Sequence, residues 1–219
     1  MEYKYELHCH TGCVSRCGRV EPEEIVKLYK EKGFSGIVVT DHYSPMTFTP
    51  NWCPQRQIDF YLAGYRRMKA AAGDDFTVLL GMELRHYFTA NDYLIYGIDE
   101  DFLYHSGNLM KVWEKEVYSR CHGRGYLVFQ AHPFRPGIRQ CDEEYIDGIE
   151  VYNGKTEKSS NNKAYEWAKE SGKLMCSGSD FHTPARTGRG GIITSSPIKS
   201  NEDLLNALKS QDFKMIKEY

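Results

Sequence analysis

The sequence predicts an α/β protein in which parallel strands, joined by crossover helices, close into a barrel. Three observations carry that prediction. Short apolar runs alternate with segments of helical period along most of the chain. Some runs, such as Ser35-Gly36-Ile37-Val38-Val39-Thr40, are apolar without alternation, the pattern of a strand buried on both faces. Five of the runs are followed at once by a histidine or a carboxylate, as if their ends opened on one face. The 219 residues fall short of the ~250 that eight full strand–helix units usually take. Six or seven units in a smaller or irregular barrel fit better, as one domain over residues 1–219.

The elements follow in order. Tyr3 to Cys9 reads as a strand, and Glu21 to Gly33 as a helix with Ile25, Val26, Leu28 and Tyr29 at helical spacing and Gly33 as its C-cap. The Ser35–Thr40 strand comes next. Tyr43 to Pro54 carries Pro45, Pro50 and Pro54, which suit neither helix nor paired strand, so a loop is expected there. Gln55 to Gly73 is a helix, Phe76 to Leu80 and Tyr93 to Ile98 are strands, and Leu109 to Gly123 is a helix. Tyr126 to Ala131, Asp147 to Tyr152 and Lys173 to Ser177 are strands, with a helix from Ser160 to Gly172 between the last two. Asn201 to Ser210 forms a final helix and Phe213 to Ile216 a short last strand.

Composition narrows the function. The 28 basic and 30 acidic side chains nearly balance, for a net charge of −2. That excludes a broad cationic surface holding a long nucleic acid by charge. No stretch approaches the ~20 apolar residues of a membrane helix, and Met1 to Glu6 lacks the order of a secretory signal. Seven scattered cysteines suit a reducing, cytoplasmic setting better than a disulfide framework. Cys9, Cys13 and Cys17 lie four apart but form no CxxC pair, so a structural zinc site is not expected from them.

The chemistry lies at the strand ends. His8-Cys9-His10, Asp41-His42, Met82-Glu83, Ala131-His132-Pro133 and Ser179-Asp180-Phe181-His182 each follow or finish a strand. His8 and His10 are two apart, so in an extended chain both point the same way, and Asp180 and His182 repeat that spacing. One such histidine is unremarkable; five of eight histidines at strand ends point to a shared bowl of metal ligands. His86, His105 and His122 follow no clear strand and are read as ordinary.

In this order the motifs resemble those of the polymerase and histidinol phosphatase (PHP) family, from Leu7 to His182. The resemblance implies a distorted (β/α)7 barrel and a metal-dependent phosphoesterase with two or three divalent ions. It assigns His8, His10, Glu83 and Asp180 to one ion, Glu83 and His132 to a second, and His42 and His182 to a third. Asp41 is placed behind a ligand histidine and Asn153 at the edge of the bowl. Where many members carry a further ligand after HxH, this chain has Ser15-Arg16-Cys17-Gly18, and arginine cannot bind a cation. Asp99 stands where some members have another histidine, as a substitute ligand or an ordinary turn acid. Two ions are therefore the safer expectation, and the donor types suit zinc, manganese or iron.

Such ions supply metal-activated hydroxide and neutralise phosphoryl charge, so no protein nucleophile is required. No GxSxG elbow or GxxxxGK[ST] loop is present. Arg135, Arg16 and Arg186, with Arg189, are candidates to hold the substrate phosphate. Tyr43, Phe48 and Trp52 either stack on a substrate ring or anchor their own loop. The expected substrate is a small phosphate monoester, a phosphorylated metabolite or nucleotide. A phosphodiesterase acting on oligonucleotide ends, an amide or lactone hydrolase, and a non-catalytic metal-stabilised module are the alternatives.

Overall fold

The computed structural model describes residues 1–49 and 51–219; Pro50, one of the three loop prolines, lies outside the described residues. Among the described residues ten strands form one sheet: β1 (Tyr3–Cys9), β2 (Gly36–Val39), β3 (His42–Tyr43), β4 (Thr77–Arg85), β5 (Asp92–Tyr96), β6 (Leu127–Gln130), β7 (Gly148–Asn153), β8 (Leu174–Gly178), β9 (Gly190–Thr194) and β10 (Lys214–Lys217). The order is β10-β9-β1-β2-β4-β5-β6-β7-β8, with β3 continuing the line of β2 along β4. Past β8 the chain returns to β1: Phe181 N–H donates to His8 O and His10 N–H to Phe181 O. These bonds nearly close the sheet into a barrel.

Among the described residues six helices surround or plug it: α1 (Pro22–Glu31), α2 (Pro54–Ala72), α3 (Glu100–His105), α4 (Glu114–His122), α5 (Lys158–Ser171) and α6 (Asn201–Ser210). Pro22 and Pro54 open α1 and α2 at the position where a missing N–H costs nothing. Ile25, Val26 and Tyr29 of α1 are buried against β1 and β2 with Phe34 and Phe181. On α2, α4 and α5 the buried stripes (Ile58, Tyr61 and Leu62; Val117 and Cys121; Ala164, Trp167 and Ala168) cover the outer face of β4 to β7. Tyr5, Leu7, Leu94, Tyr96, Leu127 and Phe129 fill the inside of the barrel, and Leu204 and Leu208 of α6 stopper its lower end.

Several features depart from the sequence reading. The barrel is mixed, because β5 runs antiparallel to both β4 and β6, and β9 antiparallel to β1 and β10. The helix expected over 109–123 is a 3-10 turn (Leu109–Lys111) and then α4, broken by extended Val112 and Trp113. The strand β9 and the six-residue α3 were not anticipated: both are too short to show a period, and β9 starts on two glycines. Among the described residues no helix is long and apolar enough to cross a membrane.

Candidate metal centre

β1 brings the first two donors. Tyr5 and Leu7 face the barrel interior, yet Cys9, two further on, packs outside with α1. The parity change falls at a register shift between Glu6 and Cys9, a bulge that turns His8 and His10 inward. Buried Glu6 holds this bend: its Oε1 accepts from the N–H groups of Leu7, His8 and Ser179, and its Oε2 from Tyr29 Oη at 2.6 Å. It therefore ties the first motif to the last. Gly178 lets β8 approach His8, since a Cβ there would stand 2.4 Å from His8 Cβ.

Around this bend all seven expected donors converge. Glu83, buried on β4, is the hub: its Oε1 lies 2.9 Å from His132 Nε2 and 3.4 Å from His8 Nε2, its Oε2 2.5 Å from His42 Nδ1 and 3.3 Å from His10 Nε2. Asp180 Oδ1 lies 3.4 Å from His10 Nε2, 3.8 Å from His8 Nε2 and 3.2 Å from His182 Nδ1. Three groups could each hold an ion: His8, Glu83 and His132; His8, His10 and Asp180; and His10, His42 and His182. His10 thus reaches the His42 and His182 group as well as the His8 and Asp180 group, which the motif order alone did not indicate.

The donor spacing fits divalent ions. Donors ~2.05 Å from one tetrahedral ion stand ~3.3 Å apart, from the usual bond lengths. The His10 to Glu83 and His10 to Asp180 separations of 3.3 and 3.4 Å match that spacing. Nε2 of both His8 and His10 is buried without a hydrogen-bond partner. Such a group costs ~1–3 kcal/mol when nothing satisfies it, and a cation taking the lone pair does. His132 (φ 29°) and Asp180 (φ 51°) are held in left-handed backbone, a strain that collects at functional sites.

Electrostatics favour positive charge at the centre. Burial alone would raise the Glu83 carboxyl, but charge on His42 and His8 and hydrogen bonds from His132 and His42 pull it well below the usual range. Asp180 is likewise lowered against burial, by His8, His10, His182 and Arg135. Burial and the charge of His42 hold His10 well below the usual imidazole value, the neutral form a ligand needs.

Several partners were not read from the sequence. Glu150 on β7 accepts from His8 Nδ1 at 2.8 Å and from His132 N–H at 2.9 Å, orienting both. Ser15 Oγ donates to Asp41 Oδ1 at 2.7 Å, lies 3.3 Å from His10 Nδ1 and accepts from His42 N–H. Asp41 also accepts from Thr11 N–H and Oγ1, and burial lifts its carboxyl to about 6 despite these bonds. It stands behind the donors and reaches His10 and His42 through Ser15. Asn153 donates to Glu150 and Asp180. Asp92 and Asp99 show the cost of assuming parallel strands. Because β5 is antiparallel, its start faces the site, and Asp92 lies 3.7 Å from His132 Nε2 and pairs with Arg85. Asp99, past its end, caps α3 by accepting from Phe102 N–H; it is the turn acid, not a ligand.

The candidate phosphate-binding arginines separate. Arg135 Nη2 donates to Asp180 Oδ2 (2.7 Å) and Asn153 Oδ1 (3.0 Å), at the edge of the donor cluster. Arg186 donates to Gly154 O and so secures that loop. Arg16 is exposed and lines a 380 Å³ cavity with Cys17, His42, Met46, Thr47 and Arg85. Burial would raise the Cys17 thiol, but hydrogen bonds with His182 and His42 bring it down to about 6. A larger cavity of 880 Å³ lies at the stoppered end, by Tyr3, Asp75, Asp99 and Lys199, and contains none of the donors. The loop aromatics anchor their loop: Tyr43 packs on Phe48 and Tyr61, and Trp52 on Phe60. His105 and His122 are on the helical surface, whereas His86 is buried beside Tyr93, apart from the cluster.

Comparison with known proteins follows the same lines. A family model described as PHP-associated (PHP_C) matches residues 158–213, which include the Asp180–His182 motif. No curated protein matches the chain. Among solved structures, PsfC from Pseudomonas syringae PB-5123 superposes with a TM-score of 0.70 at 15% identity, over 99% of this chain and 91% of its own. A protein assigned as a metal-dependent phosphoesterase from Bifidobacterium adolescentis gives 0.57 at 15% identity, over 94% and 95%. The lesion-specific endonuclease EndoQ from Pyrococcus furiosus gives 0.65 at 15% identity, over 98% of this chain and 58% of its own. At such identities the likeness establishes the fold. The PHP-associated match covers the C-terminal part of the chain, residues 158–213, and the solved structures share the fold of the whole chain.

Proposed function

We propose that this protein is a metal-dependent phosphoesterase that hydrolyses a small phosphate monoester. The observation that carries the reading is the cluster of buried donors around Glu83 and Asp180, spaced for divalent ions and bordered at His42 by a cavity of 380 Å³. Ions held there would lower the pKa of bound water towards neutrality and offset charge on the phosphoryl oxygens. The chain's own residues supply the rest. Glu150 and Ser15 orient His8 and His10, and Arg135 holds Asp180 in place. Arg16 and Arg85 flank the cavity, where guanidinium groups grip a phosphate through paired N–H donors. The cavity suits a small substrate, and the net charge of −2 offers no general attraction for a long polyanion.

The test is phosphate release from a generic aryl phosphate, with metal content measured on the same preparation. Activity that chelator and His10→Ala both abolish is the expected result. A metal-loaded protein inactive on monoesters but active on diesters would favour the second reading, an oligonucleotide-end phosphodiesterase; the fold is shared with EndoQ, a nuclease. Arg16→Ala tests the cavity: KM for the aryl phosphate rises if Arg16 binds the phosphate, and an unchanged KM removes it from that role.

A further inference from the structure

We propose that a second cavity, between the loop after β3, the start of α2 and the 3-10 turn Leu109–Lys111, is a binding site for a small aromatic anion. It is separate from the metal donors and does not depend on the phosphoesterase reading. β3 sets the separation. Of its two residues, His42 lines the cavity that borders the donors, and Tyr43, on the opposite side of the strand, lines this one. The volume, 380 Å³, lies within the ~300–1,000 Å³ of small-molecule sites. Tyr43, Trp52, Ile58 and Leu103 supply flat and apolar walls. The two rings are already fixed: Tyr43 meets Phe48 and Tyr61 edge to face, and Trp52 meets Phe60 and carries the Arg56 guanidinium 4.6 Å over its centre.

The polar side of this cavity is arranged for negative charge. Tyr43 is only 2% exposed, and its hydroxyl has no hydrogen-bond partner among the described residues. Burial and the neighbouring Tyr87 lift that hydroxyl to about 12, so it keeps its proton and can donate. Tyr87 N–H is bonded to Met110 O, which puts the hydroxyl on the side of the 3-10 turn, where Asn108 and Lys111 line the cavity. Asn108 Oδ1 already accepts from Met110 N–H, so its amide N–H groups are the free end. Lys111 is in no ion pair among the described residues. At the same cavity α2, 19 residues long, begins at Pro54 with no side-chain cap and no acid in its first turn. The partial positive charge of that helix end is therefore unanswered. No acidic side chain lines the cavity, and Asp59, reached by Gln55 and Tyr104, is matched by Arg66. An aryl carboxylate or aryl phosphate fits: its ring lies against Trp52 and Tyr43, and its anionic end meets Lys111, the Tyr43 hydroxyl and the start of α2.

Calorimetric titration of the full chain, as purified, with cinnamate tests the site. One equivalent should bind saturably, and the neutral cinnamamide should bind ~10-fold more weakly. Lys111→Gln, at an exposed position, and Tyr43→Phe, which removes only the hydroxyl, should each weaken cinnamate binding ~10-fold, the worth of one hydrogen bond to a charged group. Arg16→Ala, which alters the cavity beside the donors, should leave cinnamate binding unchanged. No saturable binding, or an affinity unchanged in either Lys111→Gln or Tyr43→Phe, would overturn the proposal. Loss of binding in Arg16→Ala would overturn it too, by placing the probe in the cavity beside the donors. None of these results bears on phosphate release, so this site and the phosphoesterase reading stand or fall separately.

Discussion

Glu150 is the residue through which the metal centre can be tested without touching a donor. One of its oxygens accepts from His8 Nδ1 and the other from His132 N–H and Asn153 Nδ2. It fixes the His8 ring so that Nε2 faces Glu83 and Asp180. Glu150→Gln keeps the shape but replaces charged acceptors with weaker or mismatched ones. Metal affinity should fall ~10–100-fold with the fold retained, as measured by competition with a chelator of known affinity. An unchanged affinity would mean that the bulge in β1 alone holds His8. Glu150 was not read from the sequence because it lies inside the Gly148–Asn153 strand, not after it. Nothing in the local pattern marks an acid facing the barrel interior.

At the scale of elements, α2 comes unusually close to the site. Gly64 sits mid-helix, where glycine costs ~1 kcal/mol against alanine, yet a Cβ there would stand 2.4 Å from Thr11 Oγ1 and 2.6 Å from Asp41 Oδ2. Gly64→Ala should therefore lose stability by ~1–3 kcal/mol from overpacking, against its helix-propensity gain, and should weaken metal binding by shifting Asp41. Denaturant unfolding and metal titration check the two parts. The stopper helix α6 offers a contrast far from the donors. Ser200 and Asp203 form a capping box, and the Lys199 and Ser200 bonds hold the Asp203 carboxyl below its usual range. A depressed folded-state pKa means the stabilisation is present above the unfolded value of ~3.9 and is lost as pH falls through the folded one. Asp203→Asn should be less stable than wild type at pH 7, and the deficit should shrink below about pH 4 while metal affinity at pH 7 stays unchanged. A deficit independent of pH would show that the charge plays no part.

For the whole molecule, the two ends of the barrel carry different burdens. The lower end is plugged by Leu204 and Leu208; the upper end concentrates buried acids and histidines that join β1, β4, β6 and β8. Ions held at the upper end would cross-link strands far apart in sequence, so binding and folding are coupled. Free metal at 100 times Kd should stabilise the fold by ~2.7 kcal/mol per site. The midpoint of thermal unfolding should therefore rise with metal concentration and fall with chelator. A midpoint indifferent to both would argue that the donors form a polar core satisfied by one another.

Local pattern alone was enough to identify most strands and helices, the α/β class, and the histidines and carboxylates near strand ends that the structure brings together around Glu83 and Asp180. The reason is that a strand buried on both faces shows as an apolar run, and chemistry-bearing residues sit where such runs stop. Strand direction was decided only by tertiary structure. Antiparallel β5 exchanged Asp99 for Asp92 at the site face. The bulge that turns His8 and His10 inward, the buried Glu6 and Glu150 behind the donors, and Cys17 beside His182 also depend on contacts between distant segments. Periodicity reports which residues avoid water, because that is a property of each residue and its near neighbours. It carries no record of which distant backbone donor, ring or thiol will fill the remaining hydrogen-bond and ligand positions once the barrel closes.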